Sequence, residues 1–243
     1  MSFIDSPAVI TGASKGIGRE IAYGFARAQH RRPLLLIARS ADKLEEVAEE
    51  CRQFGAEEVQ ILPVDLTDPE ALSNGGDTPA QFQQPGILVN NAGYYLPRPL
   101  AEINPKEFEE QWRFNTATAF YVIHHFLDAM KKRDRGLIVN ICSISAVKGK
   151  GNCGAYSSAK HALLGMTRSL REELKPTGIG VTAINLGQTL SSSWDDIEVD
   201  PARIIDPKDV AGTIVHLTTL APQTVIDEII MTPQKGELPP EKS

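Results

Sequence analysis

Tyr156 and Lys160 are the residues of this sequence whose types and spacing point most directly to chemistry. They lie in Tyr156-Ser157-Ser158-Ala159-Lys160, near the start of a run from Gly154 to Leu174 with the apolar period of an amphipathic helix. Four residues apart on a helix, the two side chains share a face, one turn from each other. An ammonium beside a phenol favours the phenolate, so the pair is expected to bring the tyrosine down from its ordinary value of about 10 toward neutral pH. Upstream, Ser143 ends an apolar run and can bring a hydroxyl beside the phenol. A tyrosine–lysine pair at this spacing also arises by chance and often serves only packing. Its meaning rests on the rest of the chain.

A second constellation lies near the start. The apolar run Pro7–Thr11 leads into Gly12-Ala13-Ser14-Lys15-Gly16-Ile17-Gly18 and then into a helix-period segment with Ile21, Ala22, Phe25 and Ala28. Strand, glycine loop and helix in that order aim helix N-terminal amides at a phosphate. The spacing is Gly-x-x-x-Gly-x-Gly rather than Gly-x-Gly-x-x-Gly, so the usual dinucleotide fingerprint does not apply as it stands. An NAD-preferring fold places an acid about 20 residues past the glycines, on the ribose hydroxyl. Here that place holds Ala38, followed by Arg39 and Ser40. With no carboxylate to repel a 2′-phosphate, and with Arg39 and Lys15 able to pair with one, NADP(H) is the preferred cofactor and NAD(H) the alternative.

The elements that must position these groups alternate along the chain. Strands are expected at 7–11, 34–38, 59–64, 87–90, 137–142, 179–184 and 225–231. Helices are expected after the glycine loop, over 40–54 with Ser40 as N-cap and Gly55 as stop, from Asn104-Pro105 to about Lys132, over 154–174, and from Asp206-Pro207 to about Leu220. The segment after Asp68-Pro69-Glu70 is expected to be a short or broken helix, interrupted around Gly75-Gly76. Asn115 falls inside the long fourth helix, where asparagine is a poor helix former. Residues 186–206 read as a substrate loop and 232–243 as a polar tail. The pattern implies one α/β domain, a doubly wound Rossmann-type sheet of about seven parallel strands with helices on both faces.

Composition excludes several classes. The chain has 243 residues, 42% hydrophobic and 23% charged, as an ordinary globule with a sizeable core does. A net charge of −6 argues against a nucleic-acid partner, and no apolar run is long enough for a membrane span. Cys51, Cys142 and Cys153 are odd in number without a Cys-x-x-Cys spacing, and the five histidines show no ligand spacing with them. No metal and no disulfide are expected, and a cytoplasmic setting fits.

Taken in order, Thr11-Gly12-x-x-x-Gly16-x-Gly18, Asp65, Asn90-Asn91-Ala92-Gly93, Asn115, Ser143 and Tyr156-x-x-x-Lys160 resemble the short-chain dehydrogenase/reductase family, over nearly the whole chain up to Met231. The resemblance implies hydride transfer between a nicotinamide and a small ketone, aldehyde or secondary alcohol. Tyr156 would be the general acid or base, Ser143 would hold the substrate oxygen, and Lys160 would bind the nicotinamide ribose and lower the phenol pKa. Asn115 would help hold a water linking Lys160 to solvent. Gly12, Ser14, Lys15, Gly16, Ile17, Gly18, Arg39, Asp65, Leu66, Asn91, Ala92, Gly93, Tyr156, Lys160, Thr189 and Ser191 match cofactor-contacting positions. Where the family has Pro-Gly-x-x-x-Thr after the sixth strand, this chain has Leu186-Gly187-Gln188-Thr189-Leu190-Ser191, a turn less rigid for want of the proline. The segment Val225–Pro233 and Trp194 are similar to the bacterial sepiapterin-reductase-like and hydroxy-acid dehydrogenase subgroup. Family members pair through the helices corresponding to those of Asn115 and Tyr156, which implies a homodimer or homotetramer. A catalytically idle NADP-binding sensor or scaffold is the alternative, although such a protein needs no proton donor.

Overall fold

The computed structural model describes residues 6–30, 32–74, 78–194 and 198–238. The expected interruption at Gly75-Gly76, part of the substrate loop and the end of the polar tail lie outside the described residues. Strands β1 (Ala8–Thr11), β2 (Leu34–Ala38), β3 (Val59–Pro63), β4 (Ile87–Asn90), β5 (Gly136–Ser143), β6 (Ile179–Leu186) and β7 (Glu228–Met231) form one sheet in the order β3-β2-β1-β4-β5-β6-β7. Every pairing in it is parallel. The central strands are aliphatic on both faces because both are covered, so they read as continuous apolar runs rather than alternating ones.

Alternate side chains of each strand feed opposite layers. Ala8, Ile10, Leu34 and Leu36 pack with Ile21 and Phe25 of α1 (Gly16–Arg27), Leu44 of α2 (Ala41–Gln53), and Val210 and Ile214 of α7 (Pro207–Leu217). Val9, Leu35 and Ile37 face the other way, against Val122 and Phe126 of α5 (Thr118–Arg133) and Leu170 and Leu174 of α6 (Gly154–Leu174). A short α3 (Ala71–Asn74) and α4 (Pro105–Trp112) complete the elements that matter below. α4 starts on a capping box, with Asn104 and Glu107 exchanging side-chain-to-backbone bonds and Pro105 in the first turn.

Four sequence expectations change. The helix begun at Pro105 is not uniform: a π turn over Arg113–Ala117 separates α4 from α5, with Asn115 in it. Ser40 occupies the N-cap position of α2 but its side chain makes no capping bond. β7 begins at Glu228 rather than Val225; as an edge strand it pairs only with β6, and Ile226 is held by apolar packing instead of a ladder. α7 stops at Leu217, where the hydroxyls of Thr218 and Thr219 take the carbonyls of Val215 and His216 at 2.7 and 2.8 Å and end the helix. No helix among the described residues is long and apolar enough to cross a membrane.

Candidate active site

The strand order reverses between β1 and β4, and in open α/β sheets ligands bind at the carboxyl ends of the strands beside such a switch. On the β1 side the site is made of backbone. Gly12 and Gly16 have φ of 64° and 57°, the left-handed region that side chains resist. A Cβ on Gly18 would stand 2.2 Å from the Gly12 carbonyl oxygen and 2.5 Å from Asn91 Nδ2, so no other residue fits there. No side chain caps the N-terminus of α1, whose first amides are therefore left for an anion. Asn91 fastens β4 to this loop: its Nδ2 donates to the carbonyls of Thr11 (3.1 Å) and Gly12 (3.3 Å). Thr11 answers, its Oγ1 accepting from the amides of Asn91 (3.0 Å) and Ala92 (3.1 Å). Asn91 Nδ2 is thus spent on the protein, and Thr11, which opens the glycine motif, acts as a positioning residue.

The other predicted cofactor positions spread around this loop. Lys15 and Arg39 are exposed at the ends of the first two βα turns, and the Arg39 guanidinium lies 5.8 Å over the ring of Phe114. Ser14 is half-buried in the glycine loop. Leu66 is buried in one core layer, and the half-buried Ile17 packs against the other. Asp65 is exposed at the end of β3 and accepts from the amide and hydroxyl of Thr67. Beyond β6, Thr189 is buried and its hydroxyl donates to the Gly187 carbonyl at 3.0 Å. Ser191 leans over the glycine loop, its Cβ 3.5 Å from where a Cβ on Gly16 would be.

On the β4–β5 side the site is made of side chains. Ser143 closes β5, its hydroxyl accepting from the Ser145 amide at 3.1 Å. Tyr156, in the first turn of α6, meets the Ser143 hydroxyl and packs edge-on against the Tyr95 ring at 5.1 Å. Lys160 is 5% exposed, and its ammonium donates to the Ile141 carbonyl at 2.8 Å and sits 5.8 Å from the centre of the Tyr156 ring. The π turn tilts Asn115 across to the loop after β4: its Nδ2 donates to the carbonyls of Tyr94 (2.9 Å) and Gln111 (3.1 Å). Asn115 Oδ1 is buried and has no partner. A Cβ on Gly93 would come within 2.5 Å of that oxygen and 3.7 Å of Lys160 Nζ, so the amide oxygen and the ammonium face one small space. Thr116, in the same turn, donates to the Ala159 carbonyl at 2.7 Å and locks the π turn to α6 beside Lys160. An insertion of this kind inside a helix is frequent at functional sites. Nothing in the motif spacing singles out Thr116.

The electrostatics correct one expectation. Burial pushes the Tyr156 phenol up to about 12, opposed by the Ser143 hydrogen bond. Burial likewise brings Lys160 down to about 8. The i,i+4 spacing gives the pair a common face, but burial is the largest influence on both groups, opposed by the Ser143 hydrogen bond at Tyr156 and by Cys142 at Lys160. At neutral pH the phenol carries the proton that a general acid must hold, while the raised value makes it a weaker donor than an ordinary phenol.

This chain matches the family model for short chain dehydrogenases over residues 6–201. It belongs to the short-chain dehydrogenase/reductase family. As a member it is an oxidoreductase of the NAD(P)-dependent kind, with dehydrogenases and reductases among the proteins it resembles. It is 30% identical to an uncharacterized oxidoreductase of Staphylococcus saprophyticus, covering 94% of this chain and 97% of the relative. It is 28% identical to a sepiapterin reductase of Chlorobaculum tepidum, covering 95% and 97%. Among solved structures it superposes on the L-sorbose reductase of Gluconobacter frateurii in complex with NADPH and L-sorbose. That match has a TM-score of 0.81, 26% identity, and covers 93% of this chain and 95% of the other.

Proposed function

We propose that the protein is an NADP(H)-dependent carbonyl reductase, reversibly an alcohol dehydrogenase, acting on a small ketone, aldehyde or secondary alcohol with Tyr156 as proton donor. The observation that carries this reading is the buried Lys160 ammonium, placed within reach of the Tyr156 ring and facing the orphan oxygen of Asn115. A fold-only or scaffolding role gives no reason to desolvate that charge.

The residues present fit a dinucleotide. The glycine loop and the uncapped α1 would hold the pyrophosphate, with Ser14 beside it. Arg39 and Lys15 would take the 2′-phosphate, Asp65 and the backbone of Leu66 the adenine end, and Ala92, Gly93, Thr189 and Ser191 the nicotinamide half. When bound, the nicotinamide supplies or accepts the hydride. Ser143 donates a hydrogen bond to the substrate oxygen, where negative charge grows as the carbonyl is reduced. Tyr156 then gives that oxygen its proton, and Lys160 stabilises the phenolate left behind. Asn115 Oδ1 receives a water that returns a proton by way of Lys160. The NADPH in the sorbose reductase structure supports the cofactor preference. The three cysteines are free and buried, which supports a reducing, cytoplasmic setting. Exposed Phe108, Trp112 and Phe120 on α4 and α5 support assembly into a homodimer or homotetramer.

The test is NADPH consumption, followed by absorbance, over a panel of ketones, aldehydes and hydroxy compounds, beside direct titration of NADPH binding. Turnover of at least one carbonyl class is expected. Tight NADPH binding with no turnover across the panel would instead favour the idle sensor or scaffold.

A further inference from the structure

We propose that Gln188 is a positioning residue, and that the segment Thr232–Leu238 is a strap that grips it and so sets the cofactor-facing turn after β6. The proposal deepens the reading above and rests on it. β6 and β7 leave the sheet side by side, with Leu186 paired to Met231. The Gly187 amide then donates to the Met231 carbonyl at 2.8 Å, and a Cβ on Gly187 would stand 3.1 Å from Pro233 Cδ, so the two chains are in close contact. Gly236, with φ of 75°, turns the strap back on itself. Leu238 thereby meets the side chain of Gln188: its amide donates to Oε1 at 2.6 Å, and Nε2 donates to its carbonyl at 3.2 Å. The glutamine amide completes a reciprocal pair of bonds such as two backbones make in a sheet. One residue earlier, the exposed Glu237 pairs with the half-buried Lys150 at 2.5 Å.

These contacts tie together two loops that share nothing else in sequence. Lys150 belongs to the loop running from Ser143 to Tyr156. Gln188 opens the turn that carries Thr189, Ser191 and Trp194. That turn is internally stiff, since Thr189 Oγ1 donates to the Gly187 carbonyl and Trp194 Nε1 donates to the Thr189 carbonyl, each at 3.0 Å. Its backbone also bridges to Ile205, through bonds of 2.9 Å from the Leu190 amide and to the Gln188 carbonyl, and it carries Ser191, which lies over Gly16. Leu186 stands where the family resemblance places a rigidifying proline. The strap supplies from outside the restraint that a proline would supply from within.

The test compares the full-length wild type with Gln188→Met, which keeps size and removes both bonds, with Glu237→Gln, and with the double variant. Two quantities are read: the dissociation constant for NADPH, and the Trp194 emission without nucleotide, the Trp112 contribution being common to all. Gln188→Met is expected to weaken NADPH binding about tenfold, with kcat at saturating NADPH changed much less, and to shift the emission to the red. Glu237→Gln is expected to do the same more weakly, and the double variant to cost less than the sum, because one strap is being released twice. The proposal is overturned if NADPH affinity stays within about twofold and the emission is unmoved. It is equally overturned if the melting temperature falls while both stay unchanged, since the strap is then only structural. A wild type that binds no NADPH would sink the oxidoreductase reading, while the emission without nucleotide still decides whether the strap sets the turn.

Discussion

The two halves of the site are built on opposite principles. Around β1 and α1 the recognition surface is backbone, and its specificity comes from side chains that are missing: at Gly12, Gly16 and Gly18 nothing larger fits or nothing else tolerates the dihedral. Around β5 and α6 the surface is side chain, and its reactivity comes from polar groups held where burial disfavours them. Lys160 is nearly fully buried, Asn115 Oδ1 lacks a partner, and Tyr156 is kept neutral. The first half should therefore be intolerant of substitution because substitution breaks the fold of the loop. The second should gain stability when its function is removed. Binding geometry and chemical strain are separated in space and joined by, among others, Asn91, Gly93 and the stacking of Arg39 over Phe114.

The largest effect expected from breaking this contrast is at Gly18. Gly18→Ala drives a Cβ into the Gly12 carbonyl and Asn91, both fixed, and should cost on the order of 3 kcal/mol together with measurable NADPH binding. Chemical denaturation and nucleotide titration check both. Thr11→Val is isosteric yet removes the acceptor of two amides, so destabilisation of about 2 kcal/mol is expected. On the chemical half the sign reverses. Lys160→Met should raise the melting temperature at pH 7 while abolishing turnover, since it removes a buried ammonium whose depression from 10.5 to about 8 corresponds to roughly 3 kcal/mol. The sign is set by linkage. Below pH 8 the native protein carries the full penalty of the charge, and between pH 8 and 10.5 the unfolded chain binds the extra proton, so wild-type stability rises with pH there. The advantage of the methionine variant should shrink over that window. An advantage that grew would contradict the assignment. The smallest effect is at Arg39, where Arg39→Ala should reduce the preference for NADPH over NADH by about tenfold without moving stability, as befits an exposed cation. An unchanged ratio of the two affinities would remove Arg39 from the 2′-phosphate site.

The same contrast explains what could be read in advance. Strands buried on both faces announce themselves as aliphatic runs, so Leu34–Ala38 and Ile87–Asn90 were legible to the residue, and the period of α6 gave Gly154–Leu174 with both ends. The glycines were legible because a missing side chain is visible in sequence. The π turn was not, since it depends on Asn115 reaching Tyr94 across 21 residues and on Thr116 reaching Ala159 across 43. Nor was the direction of the Tyr156 shift, because spacing shows which charge is near but not how much water is gone. Gln188 and Leu238 sit 50 residues apart and carry no motif, so their pairing belongs wholly to the tertiary structure.

The most direct test of the account is hydride transfer in a single turnover, followed in the wild type and in Tyr156→Phe with NADPH and the carbonyl substrate found by the panel. With a neutral phenol as the acid, the phenylalanine variant should lose about a thousandfold or more in the rate while binding NADPH almost as before. Wild-type carbonyl reduction should persist across neutral pH, and the reverse oxidation should gain as pH rises toward the phenol's value of about 12. Transfer in Tyr156→Phe at a rate near the wild type's would contradict the mechanism outright.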